Sequence, residues 1–164
     1  MAEHDDVILV TPAGLVKLKA ELERLLTRDR AEIANRIRES AEHGEFSEDN
    51  IELDEIKFEQ AIVEGRIAEL QSVLAIAQAL TDEDIPAKSI GIGSIINLSN
   101  TKVKEKLKVT LVSSAEADPS TDYISDESPL GMALIGRQKG EIVTIQVPAG
   151  KISYEIKKIG KVLT

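Results

Sequence analysis

Apolar positions in the first half of the chain recur at helical steps. Leu15, Leu18, Leu22 and Leu25 lie three and four residues apart, which stacks them on one face of a helix. Thr11-Pro12 opens this stretch, with Thr11 placed to cap and Pro12 at the first helical position, where a missing N–H costs nothing. The stripe resumes after a phase shift as Leu26, Ile33 and Ile37, the kind of stutter that changes local winding. A second stripe runs Ile56, Gln60, Val63, Ile67, Leu70, Leu74 and Ala77. It is a heptad seam with one polar member, Gln60. Between the stripes lies His43-Gly44-Glu45-Phe46-Ser47-Glu48-Asp49-Asn50, where Gly44 is a helix stop and Ser47 or Asn50 can cap the next helix. Two helices joined by so short a turn run antiparallel. Roughly 30 residues precede the turn, an arm of ~45 Å at ~1.5 Å per residue, and much of it is expected to project.

The second half changes period. Thr81-Asp82-Glu83-Asp84-Ile85-Pro86 is polar and ends in a breaker, which sets an expected boundary between residues 1–82 and 83–164. Alternating stretches rich in Ile, Val and Thr follow at 94–98, 107–112, 142–147 and 152–156, separated by turn residues such as Pro148-Ala149-Gly150. One short helix interrupts them, with Ser128 as cap, Pro129 at its first position and Gly136 as its stop. The fold class is therefore α+β: an N-terminal antiparallel two-helix coiled coil, then a compact domain with a mainly antiparallel sheet.

Composition narrows the chemistry. Among 164 residues there is no Cys, which excludes disulfides, thiol catalysis and Cys-ligated zinc, and two His cannot make a His-rich metal centre. Two Phe, two Tyr and no Trp argue against a ring-stacking RNA platform. No apolar run approaches the ~18 residues of a membrane helix, and the acidic start MAEHDD is unlike a signal peptide, so a cytoplasmic protein with no membrane partner is expected. The net charge of −9 is uneven: residues 1–82 hold 9 Lys/Arg and 19 Asp/Glu, or −10, and residues 83–164 hold 11 and 10, or +1. An acidic half repels free nucleic acid, which excludes an ordinary nucleic-acid-binding domain.

The acids concentrate at the helix turn. Residues 39–59 carry nine (Glu39, Glu42, Glu45, Glu48, Asp49, Glu52, Asp54, Glu55, Glu59) against one base, Lys57. Like charges at helical spacing destabilise a helix, so closing a hairpin does not call for them. Clustered carboxylates are hard oxygen ligands suited to Mg²⁺, which needs only one or two of them; a solubilising tip is the plainer alternative. Gly91, Gly93 and Gly136 have no phosphate-loop spacing and read as turn glycines. Lys102, Lys104, Lys106 and Lys108 alternate, as on one face of a solvated edge strand.

Taken together, the motifs resemble the Gre transcript cleavage factors of bacterial RNA polymerase, of the GreA type, over nearly the whole chain. Thr11-Pro12-Ala13-Gly14-Leu15 is similar to that family's opening helix, and His43-Gly44-Glu45-Phe46-Ser47-Glu48 to its tip. Glu59-Gln60 and Glu64-Gly65-Arg66-Ile67 match its return helix. Ser128-Pro129-Leu130, Ala133-Leu134-Ile135-Gly136, Gly140-Glu141 and Pro148-Ala149-Gly150 match its globular domain. The resemblance implies that this domain is FKBP-like and docks on RNA polymerase, with Glu127-Ser128-Pro129 at the position of the docking loop. It implies that the coiled coil enters the secondary channel and that Glu45 and Glu48 help hold a second Mg²⁺, shared with the polymerase and not tightly bound by the free protein. The polymerase's own hydrolytic activity then cleaves backtracked RNA, so the factor is not itself an enzyme. Arg36, Arg38 and Lys57, with Arg30, are the bases near enough to contact the nascent RNA 3′ end, and a monomer is implied.

Two departures matter. Glu45 stands where the family has Asp, and Ser47-Glu48-Asp49-Asn50-Ile51-Glu52-Leu53 is one residue longer than its counterpart, so Asp49 is an alternative to Glu48. The competing reading is a Gre-like regulator that binds the same channel without supporting cleavage. A prolyl isomerase is opposed by the scarcity of rings, with Tyr123 and Tyr154 alone in that half, and a generic dimeriser by the turn that closes the coil within one chain.

Overall fold

The computed structural model describes residues 6–44 and 50–163. The chain forms two compact units: Val16–Ile76 is one, and Met1–Leu15 together with Ala77–Thr164 is the other. The polar segment 81–86, on which the sequence-based boundary rests, lies within the second of these.

In the helical unit, α1 (Pro12–Arg24) passes into a π-helical turn at Leu25–Asp29 and on into α2 (Arg30–Gly44). The phase shift in the apolar stripe thus has a structural form. Leu18, Leu25, Ile33 and Ser40 are the buried positions of this arm. They step by 7, 8 and 7 residues, and the eight-residue step spans the π turn, which absorbs the extra residue. The returning helix α3 (Ile51–Ile76) buries Ile56, Ile67 and Leu70 and half-buries Val63 and Leu74. Gln60, placed on the seam by the heptad pattern, is instead exposed, because water solvates its amide at no cost whereas burial would leave it needing partners.

In the other unit, β1 (Ile8–Val10) pairs in parallel with β2 (Ala77–Ala79), matching Ile8 to Ala77 and Val10 to Ala79. Ala77, expected as the last seam residue of α3, is the first residue of this strand. The main sheet has the order β5-β4-β3-β7-β6, from β3 (Ser94–Asn100), β4 (Lys106–Val112), β5 (Tyr123–Ser125), β6 (Ile142–Val147) and β7 (Gly150–Lys161). All its pairings are antiparallel except β4 with β5. Lys102 and Lys104 lie in the β3–β4 turn, so only Lys106 and Lys108 alternate along a strand as expected. The core gathers Ile90, Ile96, Leu98, Val109, Leu111, Val143 and Ile156 under Leu134 of α4 (Pro129–Leu134).

Candidate functional site

The closed end of the hairpin is built by Asn50. Its Oδ1 accepts from the backbone N–H of Leu53 at 3.1 Å, capping α3, and its Nδ2 donates to the Ser40 carbonyl at 3.3 Å, tying the start of one helix to the end of the other. The predicted site residues Glu45, Glu48 and Asp49 lie outside the described residues. The flanking acids Glu39, Glu42, Glu52, Asp54, Glu55 and Glu59 are described. Among the described residues no group of three or more His, Asp or Glu side chains is placed to hold a metal ion.

Three arginines tie the two arms together, and a fourth serves its own helix. Arg36 Nη1 donates to Glu59 at 2.8 Å, Arg30 grips Glu64 through two bonds of 2.9 and 2.7 Å, and Arg66 grips Glu21 through two of 2.7 and 2.9 Å. Paired donors on a planar guanidinium match a carboxylate geometrically, so these bridges set the register of the arms as well as adding attraction. The hydrogen bond from Arg66 holds the Glu21 carboxyl below its ordinary value, against a smaller opposing effect of burial. Arg38 donates to Asn35 on its own helix. Of the predicted RNA contacts, Arg36 is therefore engaged across the hairpin, Arg38 is held locally, and Lys57 pairs with no described residue.

The predicted docking loop is held by a chain of short bonds. Ser128 caps α4: its Oγ accepts from Gly131 N–H at 3.0 Å and donates to the Ser125 carbonyl at 2.6 Å. The Glu127 N–H donates to Ser125 Oγ at 3.0 Å. A Cβ on Gly131 would overlap the Ser125 carbonyl, so this close approach requires glycine. The effect is to present Glu127 and Pro129 to solvent while Ser128 is half-buried beneath them.

One anchoring residue has no signal in the sequence. Thr11 caps α1, its Oγ1 accepting from Gly14 N–H at 3.0 Å, as its place before Pro12 predicts. Glu116 accepts from Thr11 N–H at 2.9 Å and from the Thr11 hydroxyl. A carboxylate at a helix N-terminus is favoured by the macrodipole, by ~0.3–1 kcal/mol. Thr11 and Glu116 are 105 residues apart, and no local pattern links them.

Both halves of the chain match family models. Residues 8–79 match the model described as transcription elongation factor, N-terminal, and residues 85–161 match transcription elongation factor, GreA/GreB, C-term. The chain belongs to the GreA/GreB family. It is 44% identical over 154 residues to the transcription elongation factor GreA of Thermoanaerobacter pseudethanolicus, covering 94% of this chain and 98% of that protein. It is likewise 44% identical over 161 residues to GreA of Acetivibrio thermocellus, covering 98% and 100%. A solved structure, GreA factor homolog 1 (Gfh1) of Thermus thermophilus, is 31% identical over 94% of this chain and 99% of that one, with a TM-score of 0.43. As a GreA/GreB protein, this chain is a transcription elongation factor. The N-terminal family match ends in β2 and therefore includes the whole hairpin.

Proposed function

We propose that this elongation factor binds RNA polymerase at its secondary channel and stimulates cleavage of backtracked nascent RNA by the polymerase's own hydrolytic activity. The observation that carries the reading is the placement of acid: nine acids between residues 39 and 59 against Lys57 alone, at the turn that joins two ion-paired antiparallel helices. The donor chemistry suits Mg²⁺, since Glu45 and Glu48 supply two hard carboxylates and Mg²⁺ takes one or two from a protein, completing its shell with water and phosphate oxygens. A metal held there would polarise a phosphodiester and lower the pKa of a bound water. The chain's own part is to carry the carboxylates on a rigid support, with Asn50 fixing the base of the turn and the Arg30, Arg36 and Arg66 bridges locking the arms. Lys57 is the base best placed for the RNA 3′ end, with Arg36 and Arg38 available once released from Glu59 and Asn35. The loop Glu127-Ser128-Pro129 docks on the polymerase. The factor acts in the cytoplasm as a monomer.

The test is a stalled, backtracked complex with saturating factor. Glu48→Gln keeps size and polarity but removes the charge. Cleavage is expected to fall by at least 10²-fold, roughly 2.7 kcal/mol of barrier, with polymerase affinity unchanged. Asp49→Asn tests the other register. A second reading, a regulator that occupies the channel without supporting cleavage, is favoured by Glu45 in place of Asp and by the lengthened turn. Proven polymerase binding by the wild type with no stimulated cleavage would establish it over the first.

A further inference from the structure

A cleft of about 490 Å³ lies over β3, β4 and β7, within the ~300–1,000 Å³ of small-molecule pockets. Such pockets are mostly apolar, but the lining of this one includes Lys106, Lys108, Lys157 and Lys158, with Asn97 and Ser99 between them. Strand register brings them together. Asn97 of β3 pairs with Lys108 of β4 on one side and with Lys158 of β7 on the other, so the three form one row across the sheet. Residues in such a row share a face, and the two lysine Cα atoms stand about 10 Å apart at ~4.8 Å per strand. Both side chains can therefore converge over Asn97. A β-bulge adds a third lysine. The register slips between Asn97 and Leu98, which leaves Lys157 without a partner between Ile156 and Lys158. Ile156 and Ile159 both pack into the core, although residues three apart on an unbroken strand face opposite sides. The bulge lets both isoleucines face inward and turns Lys157 and Lys158 together to the other face, the kind of re-aiming found beside binding sites. Among the described residues Lys157 alone of the four lysines has an ion-pair partner, Glu155 at 2.7 Å, and the half-buried Asn97 amide has no hydrogen-bond partner. In a chain of net charge −9 this is a local reversal of sign.

We propose that this cleft binds a condensed phosphate chain, carried by a free polyphosphate or by a nucleotide. Lysine is a compact charge with rotatable donors, which suits phosphate oxygens and imposes no planar geometry. The Asn97 amide and the Ser99 hydroxyl add neutral donors between the cations. A single phosphate could reach few of these groups at once, whereas a chain of phosphates spans the row from Lys108 to Lys158. No aromatic ring lines the cleft, so nothing there stacks on a base and the phosphates carry the recognition. A nucleic-acid strand would need cations continuing along its path. Here they stop: the row beside Asn97 on one side is Ile95, Thr110 and Gly160, and on the other it is Ser99 and Lys106 with Glu155 at its end.

The test titrates the full-length ¹⁵N-labelled protein, without divalent cations so that the acidic turn takes no part. The probes are inorganic triphosphate, ATP, orthophosphate, citrate and a short single-stranded oligodeoxynucleotide. Saturable shifts at Asn97, Ser99, Lys108 and Lys158 are expected with triphosphate and with ATP, at least ~10-fold tighter than with orthophosphate or citrate. Tighter binding of ATP would make a nucleotide the carrier, and equal or tighter binding of triphosphate a free polyphosphate. Lys108→Gln and Lys158→Gln should each weaken triphosphate binding about 5-fold, the upper end for an exposed ion pair, and the double variant should abolish the shifts. Lys139→Gln, an exposed lysine outside the cleft, should leave them unchanged. Equal binding of citrate, tighter binding of the oligonucleotide, or a loss in Lys139→Gln as large as in Lys108→Gln would overturn the assignment.

Discussion

Single residues decide how firmly the hairpin's two arms are joined, and Glu21 makes the point testable. Its carboxyl is held below the ordinary value of 4.5 chiefly by the hydrogen bond from Arg66. A depressed acid contributes stability that is fully present above its unfolded value and is lost as pH falls through the folded one. The Glu21–Arg66 bridge should therefore add its full share at neutral pH and begin to fade below about pH 4.5. Glu21→Gln should lower urea resistance at pH 7, and the gap between wild type and variant should be narrower at pH 3. A gap of equal size at both pH values would show that the bridge does not form in solution. The partner of Glu21 is not evident in the sequence: many acids and bases alternate along both helices, and only the spatial register selects Arg66.

At the level of elements, the helical stripes and the four principal strands are legible because each has a period long enough to exceed local noise. The capping signals at Thr11, Asn50 and Ser128 also read directly, since each supplies an oxygen where a helix leaves N–H groups unpaired. The pair β1 and β2 is not legible. Ile-Leu-Val is too short to alternate, and Ala-Gln-Ala continues a helix-forming sequence, so local propensity points to helix where pairing with a distant strand wins. The acidic turn reads as a cluster, yet its extra residue leaves the alignment of Glu48 and Asp49 open, because no period runs through it. The π turn yields a sharper expectation. It holds one residue more than an α-helix needs, and removing exposed Thr27 leaves seam positions seven apart throughout. Deletion of Thr27 should cost within about 1 kcal/mol. Deletion of exposed Ala61, in α3, should cost on the order of 2–5 kcal/mol, because it rotates Ile67 and Leu70 out of register with Ile56. Thermal melts of the two deletions compare these directly, and equal losses would mean that the widened turn has no special tolerance.

On the scale of the whole molecule, the hairpin is an insertion. Residues before it and after it belong to one unit, with β1 and β2 side by side where the chain leaves and returns. Replacing residues 16–76 with a linker of about ten Gly and Ser residues, which spans roughly 16–19 Å on average, should leave that unit folded, with β1 still paired to β2. Amide exchange at Ile8 to Val10 would report it. Rapid exchange there in an otherwise folded variant would mean that the helices are needed to hold the strands together.

The same pairing imposes an order of events on the ribosome. β1 emerges first, but its partner follows only after about 60 further residues, which at ~5–20 residues per second is roughly 3–12 s later. Throughout that interval Val7-Ile8-Leu9-Val10 is an apolar segment of the nascent chain without its β2 partner, while the helices that follow it can already close on each other. Until Ala77 to Ala79 arrive, this segment is thus the part most open to capture by a chaperone.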